Sequence, residues 1–292
     1  MRRRRIGFGL GAMLAAVFAV ATAGHADTNE GTVAGLTYMV DLGPRTAAPS
    51  VLSADAACPG ATQVVGGGTS VAGTSGFTVQ FWINGNTSFD GPDPGRVPDD
   101  GWRGRGFNRF GSDKRIVAFA ICSRSTVRYA TGHRSVGPGT AALARAACPP
   151  GTHVAGGGSN LSGSATQAYL NWSVPYDSGD PDSRQDDGWR ARAYNQGGPA
   201  KTLTVRATCV AANPRYRVRA STNSAEIVAV DCPAGTHLMG GGGAIGGMAG
   251  NSFLTALEPL GDGSGPPDDA MAAAVHRFDP TPPYLVVAVC KA

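Results

Sequence analysis

One segment occurs three times in this chain and constrains its fold more than any other feature. Each copy opens with Cys-Pro, has a glycine within the next two residues, and runs through a threonine and two apolar residues into three consecutive glycines. A second cysteine ends an apolar segment downstream of each copy. The chain is therefore predicted to consist of three copies of one module. The opening cysteines are Cys58, Cys148 and Cys232, and the closing ones are Cys122, Cys209 and Cys290.

The repeat also selects a disulfide pattern. Six cysteines allow about 15 pairings, but a module copied three times should carry its own crosslink in each copy. We therefore predict the pairs Cys58–Cys122, Cys148–Cys209 and Cys232–Cys290. Closing loops of this length stabilises a fold by about 4 kcal/mol in the chain-entropy account. Metal binding by thiolates is the alternative, and it is disfavoured because no copy has the Cys-x-x-Cys spacing of a zinc site.

The N-terminal residues have the pattern of a secretory signal. Four arginines, Arg2 to Arg5, precede an apolar run that ends in small residues, with Gly24 and Ala26 at a plausible cleavage site. A membrane anchor is the alternative. Residues 1–26 are therefore predicted to be a signal peptide, and the protein is predicted to be secreted and extracellular, with no membrane association after cleavage. Without those arginines, basic and acidic residues are equal in number, which disfavours nucleic acid as a partner.

Composition and pattern favour an all-β fold. Glycine is abundant, with 43 residues, and short Val-, Thr- and aromatic-rich segments alternate with Gly, Pro, Asn and Asp turns. We predict three tandem, disulfide-closed, antiparallel β-sandwich-like repeats of five or six strands each. The predicted boundaries are 27–126, 127–213 and 214–292, and the third repeat is degenerate and a possible cap.

These motifs resemble those of known proteins. The Cys-Pro turn, the glycine triplet, the Gly-Trp strand and the closing cysteine are similar to a repeat of secreted actinobacterial proteins of unknown function. The Cys-Pro turns, Asp-Asp pairs and closing cysteines also resemble vitelline membrane outer layer protein I, although its repeat is shorter and lacks the glycine triplet. That second resemblance implies an alternative fold, a three-fold β-prism of Greek-key repeats.

The strand after each Asp-Asp pair suggests a ligand-binding face. In the first two units a tryptophan and small residues alternate with two arginines, so one face is apolar and the other cationic. In the third unit Met271 replaces the tryptophan and alanines replace the arginines. This loss indicates either degeneration or burial against a neighbour. Each tryptophan is expected by default to lie in the core, and stacking on a ligand is the alternative. The candidate ligand-binding residues are Trp102, Arg103, Arg105, Trp189, Arg190 and Arg192.

The acidic loops are the second candidate site. Several carboxylates on a Pro- and Gly-containing loop offer the oxygen ligands that calcium prefers. Aspartate also fills turns and caps backbone amides, and we favour that structural role. No cofactor is expected, and calcium is the disfavoured exception. The candidate metal ligands are Asp177, Asp180, Asp182, Asp186 and Asp187.

No catalytic motif is present, so the protein is not expected to be an enzyme. His153 and His237 share a repeat position, but the first copy has Gln63 there. A nucleotide-binding glycine motif is matched only because the third glycine tract is almost all glycine, and close backbone packing explains the triplets better. Linked repeats favour a non-catalytic protein that binds extracellular glycan or a cell surface. A structural or assembly component of an extracellular complex is the alternative, and a secreted hydrolase is the least favoured.

Overall fold

The structure, a computed structural model, is all-β. It describes residues 27–72, 81–91, 95, 97–178, 184–222, 227–246, 252–263, 265–276 and 283–291. These residues form nineteen strands and no helix. Within the same residues there is accordingly no helical segment suited to crossing a membrane. The predicted signal peptide lies outside the described residues.

The strands follow the repeat, with one extra strand at the start of the first unit. Unit 1 contains β1 (Thr28–Val33), β2 (Leu36–Leu42), β3 (Ser50–Ala57), β4 (Gln63–Ala72), β5 (Phe81–Phe89), β6 (Gly101–Asn108) and β7 (Arg115–Ser123). Unit 2 contains β8 (Arg128–Val136), β9 (Thr140–Ala147), β10 (His153–Leu161), β11 (Ala168–Tyr176), β12 (Gly188–Asn195) and β13 (Lys201–Val210). Unit 3 contains β14 (Arg215–Ser221), β15 (Ile227–Asp231), β16 (His237–Ile245), β17 (Phe253–Leu260), β18 (Ala270–His276) and β19 (Tyr284–Lys291).

Three antiparallel sheets contain these strands, and each sheet is shared by two units. Sheet I has the order β1-β2-β7-β4-β17-β18-β15 and joins units 1 and 3. Sheet II has the order β3-β6-β5-β10-β13-β8 and joins units 1 and 2. Sheet III has the order β14-β19-β16-β11-β12-β9 and joins units 2 and 3. Each unit therefore contributes half of two sheets.

This topology confirms the all-β class and the three-fold repeat. Of the two predicted arrangements, the structure has the prism: the glycine-triplet strands β4, β10 and β16 contact one another along a common axis. The units are consequently joined in a closed ring, and unit 3 pairs with both of the others. The ladders across unit boundaries are short, and they include the pairs Leu257↔Thr69, Ser159↔Asn86 and Ser173↔Gly243.

The first glycine of each triplet lies at this axis. A Cβ atom at Gly66 would overlap the carbonyl oxygen of Met239, and one at Gly240 would lie 2.5 Å from the carbonyl oxygen of Ala155. Gly156 completes the cycle, because its Cβ would lie 2.5 Å from the carbonyl oxygen of Val65. Real Cβ atoms do not approach backbone so closely. The three strands can therefore meet only where all three residues lack a side chain.

The other two glycines of each triplet make room for different neighbours. The second glycine faces the large side chain of its own unit: a Cβ at Gly157 would lie 2.5 Å from the Trp189 ring. The third glycine faces the adjoining unit's strand in the shared sheet, so that a Cβ at Gly158 would overlap the carbonyl oxygen of Asn86. The predicted close-packing role of the triplets is thus observed, with a separate function for each position.

Three equivalent tyrosines connect the units around the ring. Tyr38 of unit 1 donates a hydrogen bond of 2.6 Å to the carbonyl oxygen of Leu238 in unit 3. Tyr129 of unit 2 donates one of 2.8 Å to Val64 in unit 1. Tyr216 of unit 3 donates one of 2.7 Å to a carbonyl oxygen in unit 2. The lead-in strand of each unit is therefore attached to the glycine-triplet strand of another.

The three predicted disulfides are present. Their Cα–Cα distances are 5.7, 5.8 and 5.8 Å, and each links the Cys-Pro turn of a unit to its closing strand. No free cysteine is found in the described chain. Three structural disulfides indicate an oxidising environment such as the cell exterior.

Aromatic side chains close the end of the axis that lies away from the acidic loops. Trp82, Tyr169 and Phe253 occupy equivalent positions at the starts of β5, β11 and β17, and all three are buried. Their ring centroids lie 5.2 to 6.0 Å apart in a triangle of tilted and edge contacts. Such contacts each add about 0.5–1.5 kcal/mol beyond burial. This aromatic triangle joins all three units.

Candidate functional site

The acidic loops have a structural role in each unit. The first aspartate of each Asp-Asp pair accepts a hydrogen bond from the side chain at the Gln/His repeat position, at 2.7 Å for Gln63 to Asp99 and 2.7 Å for His153 to Asp186. The second aspartate accepts backbone N–H groups of its own loop, as Asp269 does from Asp262 at 2.7 Å. The side chains at the Gln/His repeat position therefore link the acidic loops to the glycine-triplet strands by hydrogen bonds.

The predicted calcium ligands are only partly described. Asp186 is buried against His153, and Asp187 accepts hydrogen bonds from Ser178. Asp180 and Asp182 lie outside the described residues. Within the described part of the chain, no group of three or more His, Cys, Asp or Glu side chains is placed to hold a metal ion.

The two candidate tryptophans are not available to a ligand. Trp102 and Trp189 are 0 % exposed. The indole N–H of Trp102 donates to Asn86 Oδ1 at 2.7 Å, and that of Trp189 donates to Ser173 Oγ at 3.0 Å. Burial therefore corrects this part of the predicted binding face, because each indole is packed between the two sheets of its own unit.

Unit 3 replaces this tryptophan and its acceptor together. Met271 is buried where the tryptophans lie, and Leu257 occupies the position of Asn86 and Ser173. A methionine has no N–H to satisfy, so its partner can be apolar. The outward alanines of this strand, Ala272 and Ala274, are buried as well. Of the two explanations predicted for unit 3, burial is the one that the structure supports.

The arginines alternate with these buried residues on the outward faces of β6 and β12. On sheet II, Arg103 forms a bidentate ion pair with Asp55, with N–O distances of 2.6 and 2.5 Å. Arg105 donates to the carbonyl oxygen of Gly163 at 3.0 Å, and it lies 3.5 Å from Asn160 Oδ1. Arg103 is therefore held by a carboxylate of its own unit, whereas Arg105 reaches across to unit 2.

A cleft of 370 Å³ lies over these arginines on the outer face of sheet II. Both units contribute to it, and three of its side chains are guanidinium groups. The lining residues are Ser53, Thr87, Ser88, Phe89, Asp90, Arg103, Arg105, Asn160 and Arg206.

Arg206 is the cleft residue that sequence reasoning missed. It lies on β13 of unit 2 and donates to the carbonyl oxygen of Ser88 in unit 1. Its Nε–H is buried and has no hydrogen-bond partner among the described residues. The alternation of β13 places Arg206 outward, but only the sharing of sheet II brings it beside Arg103 and Arg105. We call these three residues the arginine triad.

Burial and mutual repulsion act on the arginine triad. Burial lowers the pKa of Arg105, and the nearby charge of Arg103 lowers it further. Burial also lowers the pKa of Arg206, an effect that Asp90 opposes. The hydrogen bonds that Asp55 accepts raise the pKa of Arg103. All three guanidinium groups are cations at neutral pH, so the cleft holds positive charge in partly desolvated surroundings.

The equivalent arginines on sheet III have different surroundings. Arg190 and Arg192 lie over the ring of Trp172, with 5.7 and 5.4 Å between guanidinium carbon and ring centroid. Arg145 lies over the ring of Tyr176 at 5.5 Å. These guanidinium groups cover aromatic rings, an arrangement that stabilises the pair by about 0.5–2 kcal/mol. The two predicted arginine pairs are therefore not equivalent sites.

Sheet I has neither arrangement at the corresponding place. Ala272 and Ala274 replace the two arginines, and Glu258 lies beside Ala272. Phe119 occupies the position of Arg206. A second concavity of 540 Å³ near the Cys58 turn has Arg124 as its one charged lining residue. Of these two concavities, the cleft on sheet II is the one with convergent charged and polar groups.

Comparison with known proteins does not assign a function to this cleft. A scan against protein-family models and a search of curated proteins return no match. The geometry of the described residues therefore carries the functional argument.

Proposed function

We propose that the protein is a secreted, non-catalytic binding protein that takes an extracellular or cell-surface glycan in the cleft on sheet II. The observation that carries the proposal is the convergence of three arginines with hydroxyl and amide side chains in one cleft. Guanidinium groups offer planar pairs of donors, and saccharides present hydroxyls and acidic groups as acceptors. The hydroxyl, amide and carboxylate side chains of the cleft supply further donors and acceptors for sugar hydroxyls.

The rigidity of the surroundings supports a binding role. The arginine triad extends from β6 and β13, which lie inside a six-stranded sheet rather than at its edges. The opposite side of that sheet carries Trp102 and faces the interior of the molecule. Sites on rigid strands need little ordering when a ligand binds, which favours affinity. The N-terminal leader pattern and the three disulfides support secretion.

A glycan array tests this proposal. The secreted protein should retain a restricted set of saccharides. A variant carrying both Arg105→Gln and Arg206→Gln should lose them. Arg192→Gln is the matched control, because Arg192 occupies the repeat position of Arg105 on sheet III and lies outside the cleft. If the array shows no saccharide selectivity, the structural or assembly role becomes the better explanation.

A further inference from the structure

We propose that the cleft recognises an acidic saccharide, with its anionic group held by guanidinium groups of the arginine triad. This inference rests on the proposed glycan-binding function and adds the chemical class of the ligand. The anionic group is a uronate carboxylate or a sulfate, since both present planar or forked oxygen pairs to a guanidinium group.

The hydrogen bonding of the cleft leaves donors for such a group. Arg206 uses one N–H on the carbonyl oxygen of Ser88, and its buried Nε–H has no partner among the described residues. Arg105 is bound by one carbonyl oxygen and one distant amide oxygen. Thr87 also lines the cleft, and its buried Oγ1 has no hydrogen-bond partner in the described chain. Each guanidinium group carries five N–H donors, so Arg105 and Arg206 keep donors for a ligand oxygen beyond the contacts just described.

The charge of the cleft also favours an anion. Asp55 is committed to Arg103 through both carboxylate oxygens. Asp90, the other carboxylate of the cleft, is exposed at its rim. Three cations therefore face two carboxylates, and one of those carboxylates lies in solvent. An anion in the cleft would offset the cost of holding Arg105 and Arg206 away from water.

The same geometry predicts one such site per molecule. Arg206 is replaced by Phe119 on sheet I and by Val287 on sheet III. The three repeats thus give three equivalent places but one arginine triad. The volume of 370 Å³ falls within the range of about 300–1,000 Å³ typical of small-molecule sites. A short oligosaccharide should therefore bind with one-to-one stoichiometry, and the other repeats should not add avidity.

Calorimetric titration with matched saccharides tests the charge requirement. One pair is an oligogalacturonide and its carboxyl-reduced counterpart, and the other is a sulfated oligosaccharide and its desulfated form. The acidic member of one pair should bind at least tenfold more tightly than its neutral counterpart, because loss of a charge-assisted contact weakens binding by about tenfold or more. The pair that shows the difference identifies the group as carboxylate or sulfate.

Variants of the cleft test the residues. Arg105→Gln and Arg206→Gln should each lower the affinity for the acidic ligand by about tenfold or more. Arg192→Gln should leave this affinity unchanged. Asp90→Asn should strengthen binding, because it removes a negative charge from the rim. If Arg206→Gln lowers folding stability, Arg206→Lys keeps the charge without the planar fork and should still weaken binding.

Three results would overturn the inference: equal binding of acidic and neutral members, acidic binding that survives both arginine variants, or no effect of Asp90→Asn. These results differ from a failure of the proposed function. If neutral saccharides bind and the binding depends on the cleft, the glycan-binding proposal stands and the inference of an acidic ligand fails. Absence of any saccharide binding would remove both.

Discussion

At the scale of single residues, glycines of two kinds control this fold. Gly156 lies in backbone contact with another unit at the three-fold axis. Gly151, in the Cys-Pro turn of the same unit, has a φ of +75°, and a Cβ atom there would have no neighbour within 4 Å. Gly156 is needed because a side chain would not fit, and Gly151 is needed because the backbone there is left-handed. Alanine should therefore lower the stability of the protein by different amounts at the two positions.

We expect Gly156→Ala to destabilise the protein by about 3 kcal/mol or more, because the new methyl group would overlap backbone that cannot move. Gly151→Ala is the matched control and should cost about 1–2 kcal/mol, the strain of a left-handed non-glycine residue. Urea unfolding measured by tryptophan fluorescence gives both values. Equal costs at the two positions would contradict close packing at the axis.

Glu258 is a second residue whose surroundings predict a measurable effect. It is partly buried on sheet I, and burial raises its pKa above the ordinary value of 4.5, although a hydrogen bond with Ser70 opposes the change. A carboxyl group with a raised folded-state pKa favours folding below its unfolded pKa and loses that contribution as pH rises. The ionised side chain therefore weakens the fold at neutral pH.

Replacing Glu258 with glutamine should raise the melting temperature at pH 7, and the gain should shrink as the pH falls towards 4, where the wild-type carboxyl group is increasingly protonated. Thermal unfolding across this pH range checks the prediction. Asp113→Asn serves as the control because Asp113 is exposed. A gain for Glu258→Gln that does not change with pH would show that charge burial is not its cause.

At the scale of strands, the side chains between β5 and β6 form a matched set. Asn86 Oδ1 accepts from both Trp102 and Thr69, at 2.7 and 2.8 Å. Unit 3 instead has Leu257 at the repeat position of Asn86 and Met271 at that of Trp102. The polar pair and the apolar pair thus occupy equivalent places in different units. Combining the tryptophan with an apolar residue in place of Asn86 would leave the buried indole N–H without an acceptor.

Asn86→Leu alone should therefore destabilise the protein by about 1–3 kcal/mol. Adding Trp102→Met, which copies unit 3, should cost less than the sum of the two single changes, because the orphaned N–H disappears. A double-mutant cycle from urea unfolding measures this coupling. Strict additivity of the two changes would argue against the matched-set interpretation.

The strands show which parts of the fold the sequence could predict. The Trp102–Phe107 alternation correctly predicted an apolar and an arginine-bearing face, because a period of two is directly visible in residue types. Strands β3 and β9 are hard to predict in this way, because their alanine-rich segments carry a weak pattern, and β15 is only 5 residues long. Both core burial and ligand stacking were open for the two tryptophans, because periodicity separates two faces without showing which one a partner covers.

The candidate site was predictable only within one unit. Arg103 and Arg105 follow from the repeat, whereas Arg206 enters the cleft through the pairing of β5 with β10 across the unit boundary. That ladder spans few residues, and neither strand has a sequence signal for its partner. A solvent-facing arginine between Thr204 and Thr208 looks like any other surface residue. Sheet sharing, which creates the site, is a property of the whole molecule.

At the scale of the whole molecule, shared sheets make the three units interdependent. Each unit contributes strands to two sheets, and a tyrosine of each unit donates a hydrogen bond to a backbone carbonyl oxygen of another unit. Removal of unit 3 would leave β4 and β11 as open sheet edges. We therefore expect the three units to fold and unfold as one cooperative structure.

Removing one disulfide tests this cooperativity. The variant with Cys148→Ser and Cys209→Ser should lose about 4 kcal/mol by the chain-entropy account, and all three units should then unfold together. Hydrogen exchange should show equal losses of protection in β13 and β19. The corresponding change at Cys232 and Cys290 is the matched control and should behave alike. Separate unfolding of unit 2 alone would contradict the closed ring.

The pairing of β4 with β17 has a consequence for how the chain reaches its native state. These strands belong to the first and last units, so the ring cannot close until nearly the whole polypeptide is available to fold. Contacts between such distant segments slow folding. Until then, the glycine-rich edge of β4 remains open to pairing with a neighbouring chain. Oxidation of Cys58 with Cys122 can occur while the C-terminal unit is still arriving, and this early crosslink would hold the waiting edge in a native-like form.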